Sequence, residues 1–261
     1  MNSTLHAFQF GTFRIMVISD GVFPVSKDFF FADTPEHIIH HIPSDFLAPL
    51  NFLLIDTGDK NILVDAGFGK THLPTAGKLL NHLETQGIYP EDIHTVIITH
   101  GHMDHIGGLS NKGKPTFPNA EYIMRREEYD LWKSNPQSKE YKKLIPLKDN
   151  MTLITSDMEI IPGIHLVHTP GHTVGHLSLS VSSGGNHLLV ASDILNDPTT
   201  LHHLPSHISV EMSPKQGLET RRSFLQEALD KSALLFVCHY PFPGLGHIAK
   251  EDLRWKWIPI T

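Results

Sequence analysis

The sequence predicts an α/β chain of the α+β type, with two sheets packed face to face and helices outside: a four-layer αββα sandwich. Three observations lead there. Short apolar, β-branched runs alternate with stretches of helical periodicity, and each half of the chain offers strands, then a helix, then a strand. No composition break, low-complexity tract or linker separates the halves, so 1–261 reads as one domain. Two sheets stacked in this way bring the strand ends of both halves to a common edge, where ligands would converge.

In the first half, FRIMVIS (13–19), NFLLID (51–56) and NILVDAG (61–67) read as strands, and Gly58-Asp59-Lys60 joins the last two as a hairpin. TAGKLLNHLETQG (75–87) reads as an amphipathic helix with Leu79, Leu80 and Leu83 inward and Gly87 as its stop. HTVIITH is a buried strand and AEYIM (120–124) another, and RREEYDLWKSN (125–135) is a helix whose charged residues face solvent. In the second half, GIHLVHT (163–169), HLSLSVS (176–182) and NHLLVAS (186–192) read as strands. A helix at 215–232 and the strand ALLFVCH (233–239) follow. Residues 196–214 form the longest loop-like stretch, a length that in compact domains goes with function or mobility.

The chain is long enough to bury a substantial core. With 21 Lys+Arg against 28 Asp+Glu it carries a formal charge of −7 and no basic run longer than a pair, which speaks against nucleic-acid and anionic-membrane partners and for a small-molecule substrate. The single Cys238 excludes an internal disulfide framework and a Cys-rich zinc knuckle. The N-terminus lacks a charged region followed by an unbroken apolar one, and no apolar stretch approaches the roughly 20 residues of a membrane span. The expectation is a soluble cytoplasmic protein; a homodimer stays open.

"ITHGHMDHIGG" (98–108) places three histidines and an aspartate within six positions. The chain holds 20 His and 16 Asp in 261 residues, and even so an H-x-H-x-D-H string is expected by chance on the order of 0.01 times. A strand delivers His100 to the sheet edge, and alternating positions of extended chain point the same way, so His100 and His102 can grip one metal from one side. Asp104 and His105, entering the next helix, point at a second site, while Gly107-Gly108 lets the backbone pack tightly beyond. Imidazoles and carboxylates without thiolates suit Zn²⁺, with Mn²⁺, Fe²⁺ and Co²⁺ as further occupants. Three candidates for the missing ligands each follow an apolar strand: His172 in "HTPGHTVGH", Asp193 in "VASDI" and His239 in "FVCHY".

These motifs in this order, preceded by "ILVDAG", resemble the metallo-β-lactamase fold superfamily over roughly residues 12 to 258. The resemblance implies the αββα sandwich with a dinuclear centre of two divalent metal ions. His100, His102 and His172 would hold the first, Asp104, His105 and His239 the second, and Asp193 would bridge both. It also implies that Asp65 in "VDAG" orients a ligand without touching metal.

Asp193 separates the chain from true metallo-β-lactamases, which carry Cys or Ser there. Flavodiiron proteins have Glu for the second His of the cluster, and the nuclease branch has an inserted domain; neither feature is present. "CHYPFPGLGHIAKEDLRWKWIPI", "FPNAEYIMRREEYDLW" and "VISDGVFPV" resemble the branch of methyl parathion hydrolase and quorum-quenching N-acyl homoserine lactonases. One departure is Asn196, where the better-known lactonases have a Tyr, which leaves the leaving-group acid unassigned. The implied activity is hydrolysis of an ester or lactone, N-acyl homoserine lactone-like, by a metal-bridging hydroxide, with a phosphotriesterase side activity of the methyl parathion type. Asp193 and Asp104 are its catalytic carboxylates, Asp193 shuttling a proton to the leaving oxygen. The competing readings are a glyoxalase-II-like thioesterase, whose helical C-terminal extension is not found here, and a metal-binding protein without turnover.

Phe29-Phe30-Phe31 and Trp132 are candidates for the pocket wall or for ordinary core. "HIIHH" (37–41) and "HHLPSH" (202–207) read as solvated surface, and Cys238 as a buried thiol facing away from the metals. His247 is expected either to close the pocket wall or to serve structure.

Overall fold

The computed structural model describes residues 4–252 and 254–260. The first half supplies β1 (Leu5–Phe10), β2 (Phe13–Ser26), β3 (Asp45–Asp56), β4 (Asn61–Val64) and β5 (Thr95–Ile97). A two-stranded flap, β6 (Ser110–Asn111) and β7 (Lys114–Pro115), precedes β8 (Glu121–Arg125) and β9 (Met151–Ile154). All but the flap join one seven-stranded sheet in the order β1-β2-β3-β4-β5-β8-β9. β10 (Met158–Ile161), β11 (Ile164–His168), β12 (Leu177–Ser183), β13 (Asn186–Val190), β14 (Leu234–Phe236), β15 (Leu245–Glu251) and β16 (Arg254–Pro259) form the second, in sequence order.

Alternation along the strands builds the layers. Ile15, Val17, Leu53 and Ile55 point into a core shared with Leu166, Leu179, Val181, Leu188 and Val190 of the second sheet. Their neighbours Met16, Ile18, Phe52 and Leu54 point outward, under α3 (Leu79–Glu84), α4 (Met103–Ile106), α5 (Arg126–Lys133) and α6 (Lys139–Leu144). The short α1 (Lys27–Phe30) and α2 (Glu36–Ile39) lie in the β2–β3 connection. α7 (Pro214–Asp230) packs Phe224, Leu225 and Ala228 against Leu189, Leu235 and Val237 on the far face. Both sheets are covered on both sides, which is why their strands read as near-continuous apolar runs. The four-layer αββα sandwich is as expected.

Several boundaries differ from the sequence reading. The helix expected over 75–87 is only Leu79–Glu84, because the backbone before it serves β2: Val22 N–H donates to Thr75 O and Lys78 N–H to Asp20 O. Asp20 occupies a bulge between Ser19 and Gly21. Five outer strands lie outside the sequence reading. β1, β9 and β10 are short and partly exposed, and β15–β16 pairs across Glu251 and Arg254 in a stretch too charged to read as a strand. Among the described residues no helix is long and apolar enough to cross a membrane.

The topology positions the site. β4, β5 and β8 run parallel, as do β13 and β14. β11 is antiparallel to β12 and β12 to β13, so β11 runs with that pair. Asp65, His100, His172, Asp193 and His239 all lie beyond the C-terminal ends of these strands, at one edge of the sandwich.

A candidate metal centre at the strand ends

Two backbone bonds zip the sheets together at this edge, Leu177 N–H to Thr99 O and Asn51 N–H to Cys238 O. His102 keeps extended dihedrals (φ −73°, ψ 150°) and caps α4, whose first turn carries Asp104 and His105. Gly107 and Gly108 follow because a Cβ there would overlap the carbonyls of Phe68 and Ala66.

The seven expected ligand residues converge. His102 Nδ1 lies 3.1 Å from His100 Nε2 and 2.9 Å from His172 Nε2. Asp193 faces both ways: Oδ2 is 3.3 Å from His172 Nε2 and 3.8 Å from His100 Nε2, and Oδ1 is 3.1 Å from His105 Nε2 and 3.4 Å from His239 Nε2. Asp104 Oδ2 lies 3.7 Å from both His105 Nε2 and His239 Nε2, on the more open side. His100, His105, His172, Asp193 and His239 are buried.

These residues fit divalent metal. His105 Nε2 is buried without a hydrogen-bond partner, and three imidazole nitrogens crowd one point, an arrangement a cation relieves. The donors, imidazole nitrogen and carboxylate oxygen, are those Zn²⁺ takes. Burial holds His100 and His172 well below the usual histidine range, so both stay neutral, the form that ligates. Burial also pulls on His105, but Asp193, Asp104 and Asp65 around it prevail and hold it well above. Asp193, despite burial that disfavours its charge, is kept well below the carboxylate range by His105, His239, His172 and His100.

Buried hydrogen bonds orient these side chains. Asp65 touches His105 from behind: Oδ2 accepts from His105 Nδ1 (2.8 Å) and from Thr99 Oγ1 (2.7 Å), and Oδ1 from Thr99 N–H (2.8 Å). Asp65 adopts φ +62°, which Asp tolerates better than most residues. Four further supports escaped the sequence reading. His176 is buried, its pKa pushed down to about 3 by that burial, and its Nε2 accepts from Asp193 N–H at 3.2 Å. Asn51 Nδ2 donates to the carbonyls on either side of His239, Cys238 O (3.1 Å) and Tyr240 O (2.8 Å). Asp20 gathers the N–H groups of Phe68, Gly77 and Leu79, tying down the loop after Asp65. Glu128 lies on the inner face of α5, against the expectation that the charges of this helix face solvent. It falls four residues before Trp132, the one sign in the sequence that it faces inward.

Cys238 is buried as expected, but its thiol does not face away: Sγ lies 3.3 Å from Asp193 Oδ1, because the chain leaves the strand at Phe236 and strict alternation ends. Trp132 stands 5.7 Å from the His102 ring and Phe30 5.8 Å from that of His239, at the metal edge; Phe31 packs against Phe46. His37, His40 and His41 are exposed, whereas His207 is buried, its backbone paired with Ala32. His247 is exposed on β15, its Nδ1 against Ala233 O, so it serves structure and not the pocket.

Residues 48–239 match the metallo-beta-lactamase superfamily. An N-acyl homoserine lactonase of Bacillus sp is 32% identical over 155 residues, 52% of this chain. The match spans 59% of the length of that lactonase and of its Bacillus thuringiensis counterparts. Among solved structures, AidC, a dizinc quorum-quenching lactonase in complex with a product, superposes with a TM-score of 0.91 at 24% identity, covering 99% of this chain and 98% of that one. The hydrolase AbOPH of the beta lactamase superfamily gives 0.89 at 26% identity over 100% and 99%. The match to more than half the chain, over the strands and turns that carry all seven residues, makes it a member of the metallo-beta-lactamase superfamily.

Proposed function

We propose that the chain, as one domain over 1–261, is a hydrolase that opens a lactone or ester of the N-acyl homoserine lactone class with two divalent ions, Zn²⁺ in the first instance. The carrying observation is Asp193, whose two oxygens each face a separate pair of imidazoles. In this reading His100, His102 and His172 would hold one ion and Asp104, His105 and His239 the other, with Asp193 contributing an oxygen toward each group. Such a pair supplies an acidified water near neutral pH and a polarised substrate oxygen.

The chain's own residues do the rest. Asp65 keeps the His105 proton on Nδ1, leaving Nε2 free to ligate. Asp104 and Asp193 would be the carboxylates beside the reacting atoms; Asp193, held ionised, would take the proton that the attacking water gives up and return it to the leaving oxygen. An apolar rim lies beside His172 and Phe30. Exposed Val174 and Met212 flank His172, whose carbonyl accepts from Met212 N–H, and exposed Phe29 lies beside Val210 through the Ser209 N–H bond to Phe29 O. This rim suits an acyl chain.

The same arrangement would serve a phosphotriester, since attack at tetrahedral phosphorus asks for the same donors. Against the thioesterase alternative, the segment after His239 forms β15 and β16 and not a helical extension. The test is hydrolysis of acyl homoserine lactones, methyl parathion and S-lactoylglutathione by zinc-loaded protein. Lactone turnover that disappears on chelation is expected. Turnover of the thioester alone, or turnover that chelation leaves intact, would refute the proposal.

A further inference from the structure

Glu128 is a carboxylate for which the hydrolytic chemistry has no use, and it is wholly buried. Oε1 accepts from Gly101 N–H (2.9 Å) and from the Trp132 indole N–H (2.8 Å), while Oε2 accepts from Gly175 N–H (3.0 Å). Gly101 separates His100 from His102, and Gly175 lies in the turn between His172 and His176. The first turn leaves a strand of one sheet and the second joins two strands of the other. One side chain therefore spans the seam between the sheets at the metal edge.

The site is built around this contact. A Cβ on Gly101 would overlap the Trp132 indole, and one on Gly175 would overlap the backbone of Glu128. Hydrogen bonds to a buried carboxylate are stronger than neutral ones, so the clasp fixes both turns firmly. Trp132, held by the same oxygen as Gly101, stands against His102 and limits its rotation.

We propose that Glu128 is a positioning residue that presets the His100–His102–His172 tripod, holding its two turns together before any metal arrives. The inference rests on the metal-centre reading above. It is specific to one half of that centre, because His105 is held by Asp65 and the His239 turn by Asn51 and Pro49 O.

The test is calorimetric titration of chelator-stripped protein with Zn²⁺, comparing wild type, E128Q and W132F. Glutamine keeps the shape but turns a donor toward one of the N–H groups, so a space-filling role would be indifferent to it. Wild type is expected to take two ions. E128Q is expected to keep its circular dichroism and one unaltered site, and to lose about ten- to hundredfold affinity at the other. W132F, which retains both backbone bonds to Glu128, should lose less. A wild type that takes up no ion overturns the metal-centre reading and the inference with it. Two unaltered sites in E128Q, or equal losses at both, overturn the inference alone. Hydrogen exchange of the stripped wild type needs no variant. The amides of Gly101 and Gly175 are expected to be protected without metal, and free exchange there would overturn the proposal.

Discussion

Replacing Asp65 by Asn probes tautomer control at His105, a metal ligand under the proposed function. Asn adopts a left-handed φ about as readily as Asp, so the +62° backbone is not the cause of any effect. If the Asn oxygen keeps the Thr99 N–H bond, its amide group replaces Oδ2 and faces His105 Nδ1 and the Thr99 hydroxyl. His105 must then accept at Nδ1, and its proton moves to Nε2, the atom that points at Asp193 and His239. A ligand nitrogen that carries a proton cannot bind metal. Loss of such an orienting partner typically costs ten- to hundredfold in metal affinity, about 1.4–2.7 kcal/mol. The mismatched buried bonds should add about 1–3 kcal/mol of destabilisation, and Tm should fall by about 2–4 °C for each of these. Zinc titration of stripped D65N against wild type reads the affinity, and calorimetry the stability. A D65N protein that binds both ions as tightly as wild type would refute the tautomer argument, whatever its Tm.

Two further predictions concern buried acids. Burial raises Asp20 to about 6 from an ordinary 3.8, so the folded chain binds its proton more tightly than the unfolded chain does. Its contribution is therefore fully present below about pH 4 and is lost as pH rises through 6, up to about 3 kcal/mol in all. Denaturant unfolding across this range should show that slope in wild type and not in D20N; an equal slope in both proteins would count against it. Burial pushes the Cys238 thiol up to about 12, with 3% of the residue exposed. A thiol reagent near pH 8 should therefore label native protein only slowly and denatured protein fully. Rapid labelling of the native state would show that the Cys238 thiol is accessible.

How much of this was legible in the sequence depended on whether each feature was local. His100, His102, Asp104 and His105 share one strand end and one helical turn, so their spacing alone places four donors together. Asp65 was legible through the family resemblance of "VDAG", although its contact with His105 bridges 40 positions. Glu128 looked like one more charge on a solvated helix, because nothing in "RREEYDLWKSN" shows that Gly175, 47 residues away, comes to meet it. Cys238 was read by strand alternation, a rule that lapses where the strand ends.

The sequence by itself determined the class of layers, the donor types and their order along the chain. These follow from side-chain period and chemistry, which each residue carries with it. Only the tertiary structure decided that Asp193 turns one oxygen to each group of histidines, that Asn51 secures His239, and that Glu128 joins the sheets. Those contacts depend on how two sheets with separate registers meet at one edge, and no local pattern encodes that meeting.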